Sequence, residues 1–375
     1  MKILLYSSYF YPYISGLTTY PLVVLEHLGQ KHDVTVLTFP YSSSHKKQEI
    51  YNNISIQRMP YMFKISKGYI SPQSLIFFFR EILRSNIIFL NLPNAEGIPL
   101  AILGKLFNKK IVSIYHCHVF LGETPFAKII NSILNYSVFL QLLLSDTIFC
   151  YTRDYVNSIP MMKQFDKKIQ FGYPPFPPPP VDTEKLSFLK KRKGNEIWIG
   201  YAGRVAREKG IEFLIDAISS INNPNIRFVC AGPYGKNVAG EERYYIEILN
   251  RLKISKLKFT FLGSMKEGNL GAYYKAIDIL ILPSTNQTEA FGIVQIEAQQ
   301  LGTPVIASNL PGVREPIRKT GMGIIVEPKS VNDIQKAITE ILKNKDQYSS
   351  IDQRKTAQEI FNPSHTLQLF DDILA

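Results

Sequence analysis

The sequence is poor in cysteine and tryptophan, with three of the first and one of the second in 375 residues. Cys117, Cys150 and Cys230 are too few and too scattered for a disulfide framework, which points to a reducing compartment. No G-x-G-x-x-G follows the first apolar strand and no P-loop lysine is present, which argues against a nicotinamide-dependent oxidoreductase. No unbroken run of about 18 uncharged apolar residues occurs, so an integral membrane span is not expected. The nearest stretch, Leu134 to Leu144, is interrupted by Asn135, Ser137 and Gln141. The opening Met-Lys-Ile-Leu-Leu-Tyr is too short for a signal-peptide core and reads as a strand. Zinc-finger, RNP-like and helix-turn-helix patterns are missing, so nucleic acid is not expected as a partner. His116, Cys117 and His118 are consecutive, and neighbouring strand side chains face opposite ways, so no metal is expected there.

What is present is a well-cored globular composition, 45% hydrophobic and 20% charged, at a length that suits two domains. The net charge is +12, with 17 Lys+Arg against 9 Asp+Glu in residues 1–180 and 26 against 22 in 181–375. The more basic first half suits solubility alone, a phosphorylated ligand or an anionic membrane surface.

Strand and helix patterns alternate along both halves. The first half reads as strands at 2–7, 34–39, 87–90, 110–115 and 147–151, with helices at 18–29, 98–107 and 128–144. Tyr173-Pro174-Pro175-Phe176 and four further prolines to Pro180 form an extended linker, because such a run fits neither helix nor central strand. The alternation restarts after it, with strands at 197–201, 226–231 and 258–262 and helices at 211–218, 241–252 and 269–276. The last segment, from 331 on, reads as helical with a break at Asn362-Pro363. The fold class is α/β with doubly wound parallel sheets.

The most informative stretch is Glu289-Ala290-Phe291-Gly292-Ile293, continuing to Glu297. It follows the apolar strand at 279–282 and precedes Gly302-Thr303-Pro304-Val305, a helix stop and another buried strand. Ligands of open α/β sheets bind at the carboxyl ends of such strands, so both carboxylates are placed to hold one. Gly203-Arg204 with Lys209-Gly210 sits at a second strand end and puts two cations beside a helix start, where anions are favoured. Ser15-Gly16 is a small-residue turn into the first helix. His116 ends a buried strand. Gly232 and Leu262-Gly263 are strand-end loops able to bring backbone against a base.

Taken in order, these motifs resemble the glycosyltransferases group 1 family, retaining sugar-nucleotide transferases of the GT-B fold. Gly312 with Glu315, and Gly323 near Glu327-Pro328, continue the resemblance to nearly the whole chain. It departs from the usual pattern where Ser15 precedes Gly16 and where Pro311-Gly312 stands in place of a glycine pair. The resemblance implies two Rossmann-like domains facing across a cleft. Residues 1–180 would form the acceptor side and 190–358 the nucleotide-sugar side, with a C-terminal helix at about 360–375 packing back on the first. It implies that Arg204 and Lys209 hold the donor diphosphate, that Glu297 binds the ribose hydroxyls, and that Glu289 with Phe291, Gly292 and Ile293 holds the donor sugar and phosphates. Gly16, Gly203, Gly232, Leu262 and Gly263 would line the donor, and His116 would sit beside the transferred sugar. The expected donor is a UDP- or GDP-linked hexose, the acceptor a glycan or lipid-linked hydroxyl of an envelope glycan, polysaccharide or glycolipid, and no separate cofactor or metal is implied. A sugar-nucleotide epimerase of the same fold and a non-catalytic sugar-nucleotide-binding protein are the competing readings.

The expected place is the cytoplasm, and an anionic membrane surface is a further candidate partner, with peripheral attachment at the inner face of the cell membrane the alternative. Lys64, Lys67, Arg80 and Arg84 surround Leu75-Ile76-Phe77-Phe78-Phe79, and residues 125–144 form a long apolar helix beginning near Lys128. For 125–144, burial against the first domain's own sheet is the reading preferred; for 60–84, burial and an interfacial role both stand.

Overall fold

The structure is a computed structural model that describes every residue except 14, 43–44, 66–67, 121, 123, 239 and 375, with residues 65 and 126 described by backbone only. Lys67 of the expected basic stretch therefore lies outside the described residues. The chain divides into two compact units, Met1–Pro175 with Pro363–Ala375, and Phe176–Asn362.

The first unit is built on β1 (Lys2–Tyr6), β2 (Asp33–Thr38), β3 (Gln48–Tyr51), β4 (Ile54–Arg58), β7 (Ile87–Leu92), β8 (Lys110–Tyr115), β9 (Thr147–Cys150) and β10 (Ile169–Phe171). They form one sheet in the order β10-β9-β8-β7-β1-β2-β4-β3, parallel except for the terminal β3. The central strands are continuous apolar runs because helices cover both faces, and all six residues of β7 are buried. A two-stranded hairpin, β5 (Phe63–Ile65) and β6 (Gly68–Ile70), lies outside that sheet. Its longer helices are α1 (Gly16–Leu28), α2 (Ser74–Arg84), α3 (Ile98–Leu106) and α4 (Pro125–Leu144). The helix Pro363–Leu374 belongs to this unit: Phe370 stacks on Phe149 with centroids 4.0 Å apart, and Lys110 Nζ donates to the Ile373 carbonyl at 2.7 Å.

The second unit is a six-stranded, wholly parallel sheet of β11 (Ile197–Ala202), β12 (Ile226–Ala231), β13 (Lys258–Gly263), β14 (Ile279–Leu282), β15 (Val305–Ser308) and β16 (Gly323–Val326). Its order is β13-β12-β11-β14-β15-β16. The chain works outward from β11 in one direction and then returns to the other side at β14, so β11 and β14 bound the topological switch point. Two apolar layers flank the sheet, one around Phe228, Ile215 and Ile338, the other around Trp198, Tyr273 and Val305. The proline run passes along this unit at Gly271, where a Cβ would meet the Pro180 carbonyl at 2.1 Å.

Helix α4 differs from its sequence reading. It is not sunk against the sheet: only 28% of the window Ala127–Leu144 is buried, although its mean hydropathy of 1.3 makes it long and apolar enough to cross a membrane. One face packs inward through Ala127, Val138 and Leu142, and the opposite face is apolar as well.

Candidate active site

The second unit brings most of the expected residues together at the tips of three adjacent strands. β11, β12 and β13 end at Ala202, Ala231 and Gly263, and their tips are joined by backbone bonds. Gly203 N donates to the Ala231 carbonyl at 2.9 Å and Gly232 N to the Gly263 carbonyl at 2.8 Å. Gly232 is required by the closeness of that stitching, because a Cβ would stand 2.0 Å from the Gly203 carbonyl oxygen. Leu262, half-buried, is the last strand residue before Gly263.

Across the switch point, the loop after β11 is clamped to the loop after β14. A Cβ on Gly210, whose φ is +64°, would meet the Pro283 carbonyl at 2.4 Å, so only glycine lets the two loops touch. Thr285 N donates to the Glu208 carbonyl at 2.9 Å. The clamp sets Lys209 Nζ against Glu289 Oε2, and Ser284 Oγ donates to the same oxygen at 3.3 Å. The two side chains of this ion pair are 18% and 16% exposed, so they are poorly screened by water. Arg204 is more open, 43% exposed, and Glu208 Oε1 lies 2.9 Å from its Nη2. Two cations, one anchored and one exposed, thus stand beside a row of glycine-rich strand tips.

Phe291 is buried, and Gly292 caps the helix Ile293–Gln300, whose first amides carry the positive end of a helix dipole. Glu297 lies on that helix and is half-buried; its Oε2 accepts from the Tyr274 hydroxyl at 2.6 Å. Burial pushes its carboxyl above the usual range and the Glu267 charge adds to this, while the Tyr274 hydrogen bond opposes it. Glu297 therefore has a different partner from Glu289, although eight positions separate them in sequence.

Gly16 and His116 belong to the first unit. Gly16 is the first residue of α1, and Ser15 N donates to Thr18 Oγ1 at 2.9 Å. His116 follows β8 and is 2% exposed, and burial pushes its imidazole down to about 3. The ring is therefore neutral at physiological pH. Its Nδ1 accepts from the Tyr151 hydroxyl, and its Nε2 donates to Asn91 Oδ1 at 2.6 Å. Asn91 Nδ2 in turn donates to Ser7 Oγ at 2.9 Å and to the Leu17 carbonyl at 2.8 Å. The histidine thus reaches the Gly16 turn through one asparagine.

Five residues of this geometry escape sequence reasoning: Asn91, Tyr151, Glu208, Tyr274 and Ser284. Asn91 leaves a trace, as the sole amide in the otherwise apolar β7, and Ser284 follows Pro283 at a strand tip. Tyr151 and Tyr274 leave none, since a buried tyrosine reads as core. Among the described residues, no three His, Cys, Asp or Glu side chains converge as metal ligands.

Residues 182–358 match the family described as Glycosyl transferases group 1. An uncharacterized glycosyltransferase of Methanocaldococcus jannaschii is 34% identical over 164 residues, 43% of this chain and 40% of that protein. A D-inositol 3-phosphate glycosyltransferase of Corynebacterium urealyticum is 30% identical over 154 residues, 40% of this chain and 35% of that protein. The match thus spans well under half the length of these two relatives. A crystal structure of Anabaena HepE in complex with UDP-glucose superposes with a TM-score of 0.80 at 18% identity, covering 100% of this chain and 99% of that one. The strand order, the switch-point loops and these likenesses agree: the chain's fold is GT-B, and residues 182–358 are similar to the glycosyl transferases group 1 family.

Proposed function

We propose that the protein is a retaining glycosyltransferase that moves a hexose from a UDP- or GDP-linked donor to a hydroxyl acceptor. The observation that carries this reading is the Lys209–Glu289 pair beside Arg204, clamped by Gly210 at the switch point of the second sheet. A nucleoside diphosphate needs cations there and a close backbone for its base, and the tips of β11 to β13 offer both. The UDP-glucose bound to HepE supports the donor class, and the inositol phosphate enzyme supports a hydroxyl acceptor.

In the proposed reaction the bond between the sugar's anomeric carbon and the diphosphate oxygen breaks, and its electron pair stays on the diphosphate. Arg204, Lys209 and the amides opening the helix Ile293–Gln300 take up that charge, so no metal ion is assigned the task. The acceptor hydroxyl forms the new bond on the same face, and its proton passes to the departing diphosphate. Glu289 is held by Lys209 and Ser284, which suits a carboxylate that orients the sugar and not one that attacks it. Glu297 is assigned the ribose hydroxyls. In the first unit His116 and Gly16 are assigned to the sugar and diphosphate. The acceptor is assigned to envelope glycan, polysaccharide or glycolipid synthesis in the cytoplasm.

A thermal-shift panel of UDP-, GDP- and ADP-sugars, followed by mass spectrometry of products from a mixed acceptor pool, tests the reading. A raised Tm with one donor and an acceptor heavier by one hexose support it. An isomerised donor sugar without transfer means an epimerase, and no shift with any donor contradicts the reading outright.

A further inference from the structure

The two units leave very different surfaces. Among the described residues, twenty large apolar side chains are exposed in the first unit and four in the second, although the units are nearly equal in length. Isolated exposed leucines need no explanation, but contiguous apolar surface marks an interaction site. In the first unit the exposed residues concentrate on three neighbouring helices, since α3 packs against both α2 and α4.

Each of these helices carries a stripe at helical spacing on its open face. On α2, Leu75, Phe79 and Leu83 recur every four residues, with Ile76 beside them 71% exposed. Ile102 and Leu106 continue the pattern on α3, and Phe107 at its end meets Phe79 edge-on at 5.7 Å, joining the two stripes. Ile129, Ile133, Tyr136 and Leu143 line the outer face of α4.

The charge on these helices is one-sided. They carry Arg80, Arg84, Lys105 and Lys128 against a single carboxylate, Glu81, which is buried and held by Arg80 at 2.9 Å. Arg80 also reaches Gln57, Arg84 stands 3.9 Å from Glu81, and Lys105 pairs with Asp146 beyond the end of α4. A second copy of this face would bring cation against cation, which disfavours self-association. An anionic lipid surface supplies the opposite charge and takes up the apolar stripes together.

We propose that α2, α3 and α4 form a face that docks on an anionic lipid bilayer, with the apolar stripes seated at the boundary of headgroups and acyl chains. α4 is apolar enough to span a membrane, but one side of it is held by the sheet unit, so it lies in the interface instead of crossing it. The inference rests on surface and charge and stands apart from the sugar-transfer reading.

Vesicle flotation of the full chain at low salt tests it, using phosphatidylcholine alone and phosphatidylcholine mixed equally with phosphatidylglycerol. The intact protein is expected to float with the anionic vesicles only. Ile76→Glu with Phe79→Glu, and separately Ile129→Glu with Ile133→Glu, should reduce the floated fraction by roughly tenfold, as should Arg84→Glu with Lys128→Glu. Circular dichroism and calorimetric nucleotide binding on the same variants establish that they are folded. Protein left at the bottom with both vesicle types, equal flotation with neutral vesicles, or a concentration-dependent dimer that the same substitutions abolish would each overturn the proposal. Flotation without sugar transfer leaves it standing while the transfer reading fails.

Discussion

The two units share a plan and differ in where they place charge. Both are sheets of mainly parallel strands with functional candidates at the carboxyl ends of strands. In the second unit those ends hold charged pairs, Lys209 with Glu289 and Arg204 with Glu208. In the first they hold a neutral, buried network of His116, Tyr151 and Asn91. A dianionic leaving group needs preorganised charge, whereas a sugar ring and its acceptor need shape and neutral donors. On the proposed reading, the difference would divide the two halves of one reaction by electrostatic character, and substitutions can test that division.

The largest effect is expected at Lys209. Lys209→Met should slow transfer by roughly 10²-fold or more. It should also cost roughly 3 kcal/mol of stability, because it leaves a mostly buried Glu289 carboxylate without its cation. Adding Glu289→Gln should restore most of the stability and none of the turnover. Denaturant titration and single-turnover assays separate the two quantities; recovered activity in the double variant would break the assignment.

Arg204→Ala should lose a comparable factor in transfer while changing stability by less than about 1 kcal/mol, since its pair with Glu208 is open to water. A large drop in stability would mean that the exposed cation is structural.

Next come Glu297 and His116. Glu297→Gln should weaken nucleotide binding by roughly tenfold, a charged hydrogen bond to a hydroxyl being lost. His116→Gln should leave the nucleotide dissociation constant within about twofold and lower turnover. A large rise in that constant would place the nucleotide against the first unit's network.

The last effect is in pH. His116 has a folded value of about 3 against an ordinary 6.5, so the unfolded chain binds its proton first as acid is added. The stability due to its neutral burial is fully present above about 6.5 and is lost as pH falls toward 3. His118, also lowered by burial, acts in the same direction. The slope of stability against pH in this window should flatten in His116→Gln, and an unchanged slope would contradict the burial of this ring.

Much of this architecture was legible because parallel strands are unbroken apolar runs. The apolar runs at 110–115 and 226–231 coincide with whole strands of the two sheets. The elements near one edge of each sheet are not legible in this way: β3 and β4 are short and alternate in burial, and Gly323–Val326 is a partly exposed strand whose apolar run, Ile324 to Val326, is only three residues long. The cations and carboxylates could be named from local motifs, but the Lys209–Glu289 pair could not, since 80 positions separate its members. Only the clamp at Gly210 brings them together. Helix α4 misled for a physical reason, because its composition is that of a buried helix while one half of its circumference faces outward.

Isothermal titration of UDP and GDP into the intact chain, beside Arg204→Ala and Lys209→Met, tests the central claim most directly. The charged switch point of the second unit should bind one of these nucleotides, and each substitution should weaken that binding by roughly tenfold or more. Failure of both nucleotides to bind, or equal affinity in all three proteins, would contradict it.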